Sequence, residues 1–141
     1  MKLYLDTNIL AFLLTGQKDE ISYEVSNELS DYSNVLLSSS ICIQELIHLL
    51  KIGKLSFKKG THPVAPSAIF DWLDETGIGV TSPGRKHLQQ YSELPIIDDH
   101  RDPNDRLIIA QSISDRIPLI SSDRKFSKYE KYGLDFIFNE R

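Results

Sequence analysis

Five short apolar runs alternate with longer helix-patterned stretches along the chain. The runs are Lys2–Leu5, Val35–Ser38, Gly77–Val80, Leu119–Ile120 and Leu134–Phe138. Between them fall helix signals at Asn8–Leu14, Asp19–Leu29, Ile41–Ile52, Pro66–Thr76, Pro83–Tyr91, Pro103–Ser114 and Lys125–Lys131. Strands that alternate with helices predict an α/β sandwich with a mostly parallel sheet. The punctuation supports these bounds. Ile21, Val25 and Leu29 recur at helical spacing, Ser39 and Ser40 offer N-caps to Ile41–Ile52, and Gly53 ends it. Asp102 is placed to cap the next-to-last helix, with Pro103 in its first turn, the favoured site for proline. Lys54–Pro66, with Gly60, Pro63 and Pro66, reads as a loop.

A length of 141 residues fits one domain, 1–141, and no internal repeat divides it. No apolar run approaches the roughly 20 residues needed to cross a bilayer, so no membrane association is expected. The opening Met1–Asp6 is too short in apolar residues for a secretory signal. The single cysteine, Cys42, has no internal partner, and a reducing cytoplasm is the expected compartment. A net charge of −4 weighs against non-specific nucleic-acid binding. A divalent cation can reverse the local field, so it does not exclude such binding.

The placement of particular acids carries the functional information. Asp6 follows the first strand, and Asp123 follows the Leu119–Ile120 strand. In parallel α/β sheets, sites form outside the carboxyl ends of strands, where two such acids can converge. Glu45 lies off the polar helix face of Gln44, His48 and Lys51, bracketed by Ile41, Leu49 and Ile52. A carboxylate on a partly apolar face needs a partner. Asp105 has Ile109 one turn on and can also face inward. Converging carboxylates repel, and either protons or a hard divalent cation, Mg²⁺ or Mn²⁺, must neutralise them. The four histidines and Cys42 show no zinc spacing. Alone, Asp6, Asp105 and Asp123 also fit turn or capping work and Glu45 an ordinary helix glutamate, and for Asp102 capping is the preferred reading.

The chain resembles the PIN-domain ribonucleases, and among them the VapC-like toxins of bacterial toxin–antitoxin pairs. The likeness covers nearly the whole sequence. It rests on Leu3-Tyr4-Leu5-Asp6-Thr7-Asn8, on Ser38–Ile47 around Glu45, and on Pro118-Leu119-Ile120-Ser121-Ser122-Asp123 followed by Phe126. The most specific segment is His100-Arg101-Asp102-Pro103-Asn104-Asp105-Arg106-Leu107-Ile108-Ile109-Ala110-Gln111. Asn104 stands where an aromatic is common and Ser121 where threonine is common. Phe138 ends the last strand where tryptophan is frequent.

The resemblance implies a three-layer α/β/α sandwich and a metal-dependent endoribonuclease. Asp6, Glu45, Asp105 and Asp123 would be both the catalytic residues and the ligands of one or two Mg²⁺ or Mn²⁺ ions. Aligning Asp105-Arg106-Leu107 with the family's helix places Asp105, not Asp102, in the third position. It further implies a homodimer, an RNA substrate with tRNA and rRNA as candidates, and a cognate antitoxin. A hydrophobic groove near Asp19–Leu29 and Ile41–Ile52 is the expected dock for that partner.

Chemistry suggests supporting roles. Asn8 and Ser121 sit beside acids and can orient them through hydrogen bonds, or serve turns and caps instead. Arg101, Arg106, Arg124 and Lys125 flank the acidic motifs and can meet an RNA backbone or simply pair with surface acids. Lys54, Lys58 and Lys59 beside Phe57 form either an RNA-contacting loop or a solvated one. His48 and His100 receive no catalytic role. Two rivals stay open. One is a non-catalytic binding protein whose acids serve a structural ion or a basic partner. The other is an Asp-nucleophile phosphatase, disfavoured because Asn8 stands where a second aspartate is wanted.

Overall fold

The centre of the sheet is β1 (Lys2–Leu5), in a computed structural model that describes residues 1–141. Around it lie β2 (Val35–Ser39), β3 (Gly79–Thr81), β4 (Leu119–Ser121) and β5 (Phe136–Phe138). Their order is β3-β2-β1-β4-β5, and every pairing is parallel. Leu3, Tyr4 and Leu5 are all buried, as a central strand covered on both faces requires.

Six α-helices connect the strands: α1 (Thr7–Thr15), α2 (Tyr23–Ser30), α3 (Ser40–Lys51), α4 (Ile69–Thr76), α5 (Arg85–Glu93) and α6 (Pro103–Asp115). The chain steps from β1 to β2 to β3 in one direction, then crosses back to β4 and on to β5. Right-handed crossovers put helices reached in opposite directions on opposite faces. Accordingly α1 packs with α3, while α5 packs with α6, and α6 with the segment Arg124–Tyr132. The result is the expected three-layer sandwich. The core includes Leu3, Leu5, Ile9, Leu10, Leu46, Ile109, Leu119 and Ile120, each fully buried, and each contributing roughly 1.5–3 kcal/mol by leaving water. No helix is long and apolar enough to cross a membrane.

Three helices differ from their expected form. The segment read as one helix over Asp19–Leu29 is a 3₁₀ turn at Lys18–Glu20 followed by α2 from Tyr23. The break is at Ser22. Its hydroxyl accepts from the Val25 amide (3.2 Å), and its own amide donates to Asn139 Oδ1 (2.7 Å). An amide committed to a distant side chain cannot continue a helical ladder. Pro66–Thr76 starts as a 3₁₀ turn and becomes helical only at Ile69, and Lys125–Lys131 lies within a 3₁₀ helix over Arg124–Tyr132. The loop after α3 is positioned by Gly16, whose left-handed conformation (φ 74°) ends α1 and whose missing Cβ leaves room for Thr61.

Candidate active site

The chain reverses its direction of travel between β1 and β4, so the crevice expected in an open α/β sheet lies beyond their carboxyl ends. Asp6 comes directly after β1, and Asp123 two residues after β4. The amino end of α6 supplies Asp105, and the middle of α3 supplies Glu45. All four line one cleft of about 390 Å³, with Thr7, Asn8, Phe12, Leu49 and Arg141 among its other walls. The acids come from four separate stretches of sequence and meet only through the fold.

Asp6 is buried and held from several sides. It caps α1, accepting from the Thr7 amide at 2.8 Å. Its other oxygen accepts from Ser121 Oγ at 2.6 Å and from Asn8 Nδ2 at 3.3 Å. Asn8 also donates to Ser121 Oγ (3.2 Å) and accepts from the Ser122 amide (3.2 Å), while Ser121 Oγ accepts from the Asp123 amide (3.1 Å). Asn8 and Ser121 thus make the contacts of both readings: they donate to Asp6, and they accept from the Ser122 and Asp123 amides of the turn after β4. Thr7 Oγ1 donates to Glu45 Oε1 at 3.2 Å. Asp102 caps α6 through the Asn104 and Asp105 amides (2.9 and 3.2 Å), as expected, and Asp123 accepts from the Lys125 amide (3.0 Å).

Charge crowding is visible in the acids' proton affinity. Burial pushes Asp6 up to about 6 against the opposing pull of its Ser121 and Thr7 bonds, with Asp105 and Asp123 adding to the rise. Burial and then the Asp6 charge push Glu45 up to about 7, and Asp105 contributes further. Asp105 is raised by burial, partly offset by its bond from His100, with Asp102 and Asp123 adding to the rise. The donor chemistry, all carboxylate oxygen, suits a hard divalent cation. As they stand, however, no three of these side chains form a ready ligand set. An ion held here would keep several waters, as Mg²⁺ commonly does.

The basic residues divide. Arg101 is exposed and pairs with Asp99 (2.7 Å); Arg124 is exposed, lies 3.9 Å from Glu140 and stacks over Phe138. Lys125 is exposed as well. Arg106 corrects the expectation of an RNA contact. It is 5 % exposed, donating to Leu94 O (2.7 Å), Pro95 O (2.8 Å) and Tyr129 Oη (3.4 Å) and stacking over Tyr91. The physical reason is its place on α6 beside the loop that follows α5, where its guanidinium reaches the Leu94 and Pro95 carbonyls. Arg106→Ala strands the buried Leu94 carbonyl and frees the partly buried Pro95 carbonyl, and is expected to lower stability by about 2 kcal/mol. Urea unfolding checks the loss, and fluorescence anisotropy should show unchanged RNA affinity for the folded protein.

Three neighbours of the site had no role assigned from the sequence. His100 bonds to Asp105, and its only signal was its position five residues before that acid. Asn139 is fully buried and ties Ser22, Glu20 and Ser122 together beside the site. Arg141 lies at the cleft, over Phe12 and 3.4 Å from Glu20. Neither of the last two carries a sequence signal.

Residues 3–132 match the PIN domain family. The chain is a PIN domain protein. Among solved structures, this PIN domain is similar to a chain of VapBC2 from Rickettsia felis bound to a promoter DNA fragment, at TM-score 0.69 and 22% identity. That match covers 99% of this chain and 100% of the other. A chain of VapBC-1 from nontypeable Haemophilus influenzae matches at TM-score 0.65 and 22% identity over 98% of both chains. A chain of DNA-bound VapBC from Salmonella typhimurium matches at TM-score 0.65 and 19% identity, again over 98% of both. At these identities the likeness is one of fold. No curated protein matches by sequence. Five parallel strands in the order 3-2-1-4-5, flanked by helices, agree with the PIN fold.

Proposed function

We propose that this PIN domain is a Mg²⁺- or Mn²⁺-dependent endoribonuclease and the toxin of a toxin–antitoxin pair. The observation that carries this reading is the meeting of Asp6, Glu45, Asp105 and Asp123 in one cleft, with three of them driven toward protonation by burial and by one another's charge. Once bound, a divalent ion lowers the pKa of a water and neutralises charge on a phosphoryl oxygen. Asp6, Glu45, Asp105 and Asp123, which line the cleft together, would hold it. Asn8 and Ser121 fix one Asp6 oxygen, and Thr7 fixes one Glu45 oxygen, which limits how far either carboxylate must move. Glu45, shifted to about 7, can take or release a proton near neutral pH. Arg101, Arg124 and Lys125 stand exposed and available to a phosphate backbone.

The test is cleavage of structured RNA with Mg²⁺ or Mn²⁺, with and without chelator. Cutting that stops in chelator supports the reading, and cutting that persists overturns the metal role. The open spacing of the acids favours one rival, a silent PIN domain that uses the cleft for a structural ion or for docking. That rival predicts ion binding with no cleavage in the same assay. A homodimer and an antitoxin encoded beside the gene are also proposed. The likeness to VapBC complexes supports the antitoxin. Co-expression with the neighbouring small reading frame should yield a co-purifying complex, and a chain that stays unbound and harmless in cells would remove the toxin label.

A further inference from the structure

Asp105 receives a hydrogen bond on one oxygen only. His100 Nε2 lies 3.1 Å from its Oδ2, and Oδ1 has no protein partner. The other ring nitrogen of His100 lies 2.8 Å from the Tyr129 hydroxyl. Tyr129 Oη in turn faces Arg106 Nη1 at 3.4 Å. Arginine can only donate, so the tyrosine oxygen accepts from it and its own proton is free to go to His100 Nδ1. In that tautomer the ring proton is on Nε2 and directed at Asp105 Oδ2. The ring cannot swing away. His100 is 8% exposed, and it is flanked by the rings of Phe126 (6.3 Å) and Tyr129 (5.6 Å), both fully buried. It is not among the residues that wall the cleft.

We propose that His100 is a positioning residue: clamped by Tyr129 and Phe126, it holds one oxygen of Asp105 and leaves the other aimed at the cleft. The role rests on the nuclease reading of the site. The device runs from Arg106 through Tyr129 and His100 to Asp105, and three of its four members lie within seven residues of one another. Arg106 anchors it to the fold, since its other bonds hold the Leu94–Pro95 backbone.

The experiment combines three variants with a measurement on the unmodified protein. His100→Ala should weaken Mn²⁺ binding, read by titration calorimetry, by about tenfold, the scale seen when a ligand's orienting partner is lost. Cleavage should fall in kcat while KM for RNA stays within about twofold, because His100 is not among the cleft walls. His100→Gln, whose side-chain amide can donate to the same carboxylate, should recover most of the loss. Tyr129→Phe keeps the ring packing and removes only the hydroxyl, so it should give a smaller loss in the same direction. It also keeps the proposal testable if His100→Ala does not fold. Long-range ¹H–¹⁵N NMR on the metal-free protein should show a proton on His100 Nε2. An unprotonated Nε2, a folded His100→Ala with unchanged Mn²⁺ affinity, or a His100→Gln no better than alanine overturns the inference and leaves the nuclease reading intact. A protonated Nε2 in a protein that neither binds Mn²⁺ nor cuts RNA overturns the nuclease reading while the His100–Asp105 bond stands.

Discussion

Asp6→Asn is expected to abolish RNA cleavage, by on the order of a thousandfold or about 4 kcal/mol of barrier, while leaving the metal-free protein at least as stable as the parent. Both halves follow from one residue. Asp6 is the most enclosed of the four acids, at 5% exposure, and its carboxylate accepts from Ser121, Asn8 and the Thr7 amide. Asparagine keeps the shape and the Oδ1 that caps α1, but it removes the charge that an ion would need. Removing that charge also removes its burial cost. A rise from 3.8 to about 6 corresponds to about 3 kcal/mol of destabilisation at neutral pH. Some of the gain is lost because an amide at position 6 faces the amide of Asn8. A net gain of 1–2 kcal/mol would raise Tm by roughly 3–8 °C. Melting curves in chelator and a gel-based RNA assay measure the two effects. Retained cleavage would remove Asp6 from the site. A large drop in Tm would show that its charge serves the fold. Asp105→Asn should likewise stop cleavage without unfolding the chain.

Stability of the metal-free protein should fall as pH rises from about 4 to about 7, the reverse of ordinary acid denaturation. Asp6 and Glu45 have folded values near 6 and 7, above their ordinary 3.8 and 4.5. The folded state therefore binds protons more readily than the unfolded chain across that window. Below both values the penalty is absent, and above the folded values it is complete. Asp115 works in the opposite sense. Its burial is outweighed by bonds from Tyr4, Lys86 and His87, which hold it below the usual carboxylate range. The stability it adds is lost only as pH falls below about 4, outside the window. A divalent ion should reverse the trend by taking the place of the protons. Adding Mg²⁺ or Mn²⁺ should raise Tm strongly at about pH 8 and little at about pH 5, where protons compete for the same oxygens. Melts at both pH values, with and without ion, provide the check. An equal ion effect at both would show that binding does not involve these carboxylates.

Much of the architecture was legible in the residues themselves. Strand and helix positions follow from local periodicity, caps and breakers, which act over a few residues: Asp102 and Pro103 start α6, Ser39 starts α3, and Gly16 ends α1. One departure falls where a distant group intervenes. The helix expected over Asp19–Leu29 breaks because Asn139, more than a hundred residues on, takes the Ser22 amide. No local pattern can carry that information.

The same division holds at the cleft. Asp6 and Asp123 stand out in sequence because they follow strands, and Glu45 because a carboxylate on an apolar helix face demands an explanation. Their convergence was decided by the sheet order, which sets β4 beside β1 and carries the start of α6 over both. Side-chain direction was likewise decided by tertiary structure. Arg106 and Arg101 are both arginines beside the same acidic motif, yet one is buried under the Leu94–Pro95 carbonyls and the other lies in solvent. His100 looked like a loop residue until Tyr129 and Phe126 closed around it. Residue type and local spacing determine which groups can ionise, cap or donate. Which of them meet, and how far burial shifts them, depends on contacts between segments far apart in the chain, and those exist only once the chain has packed.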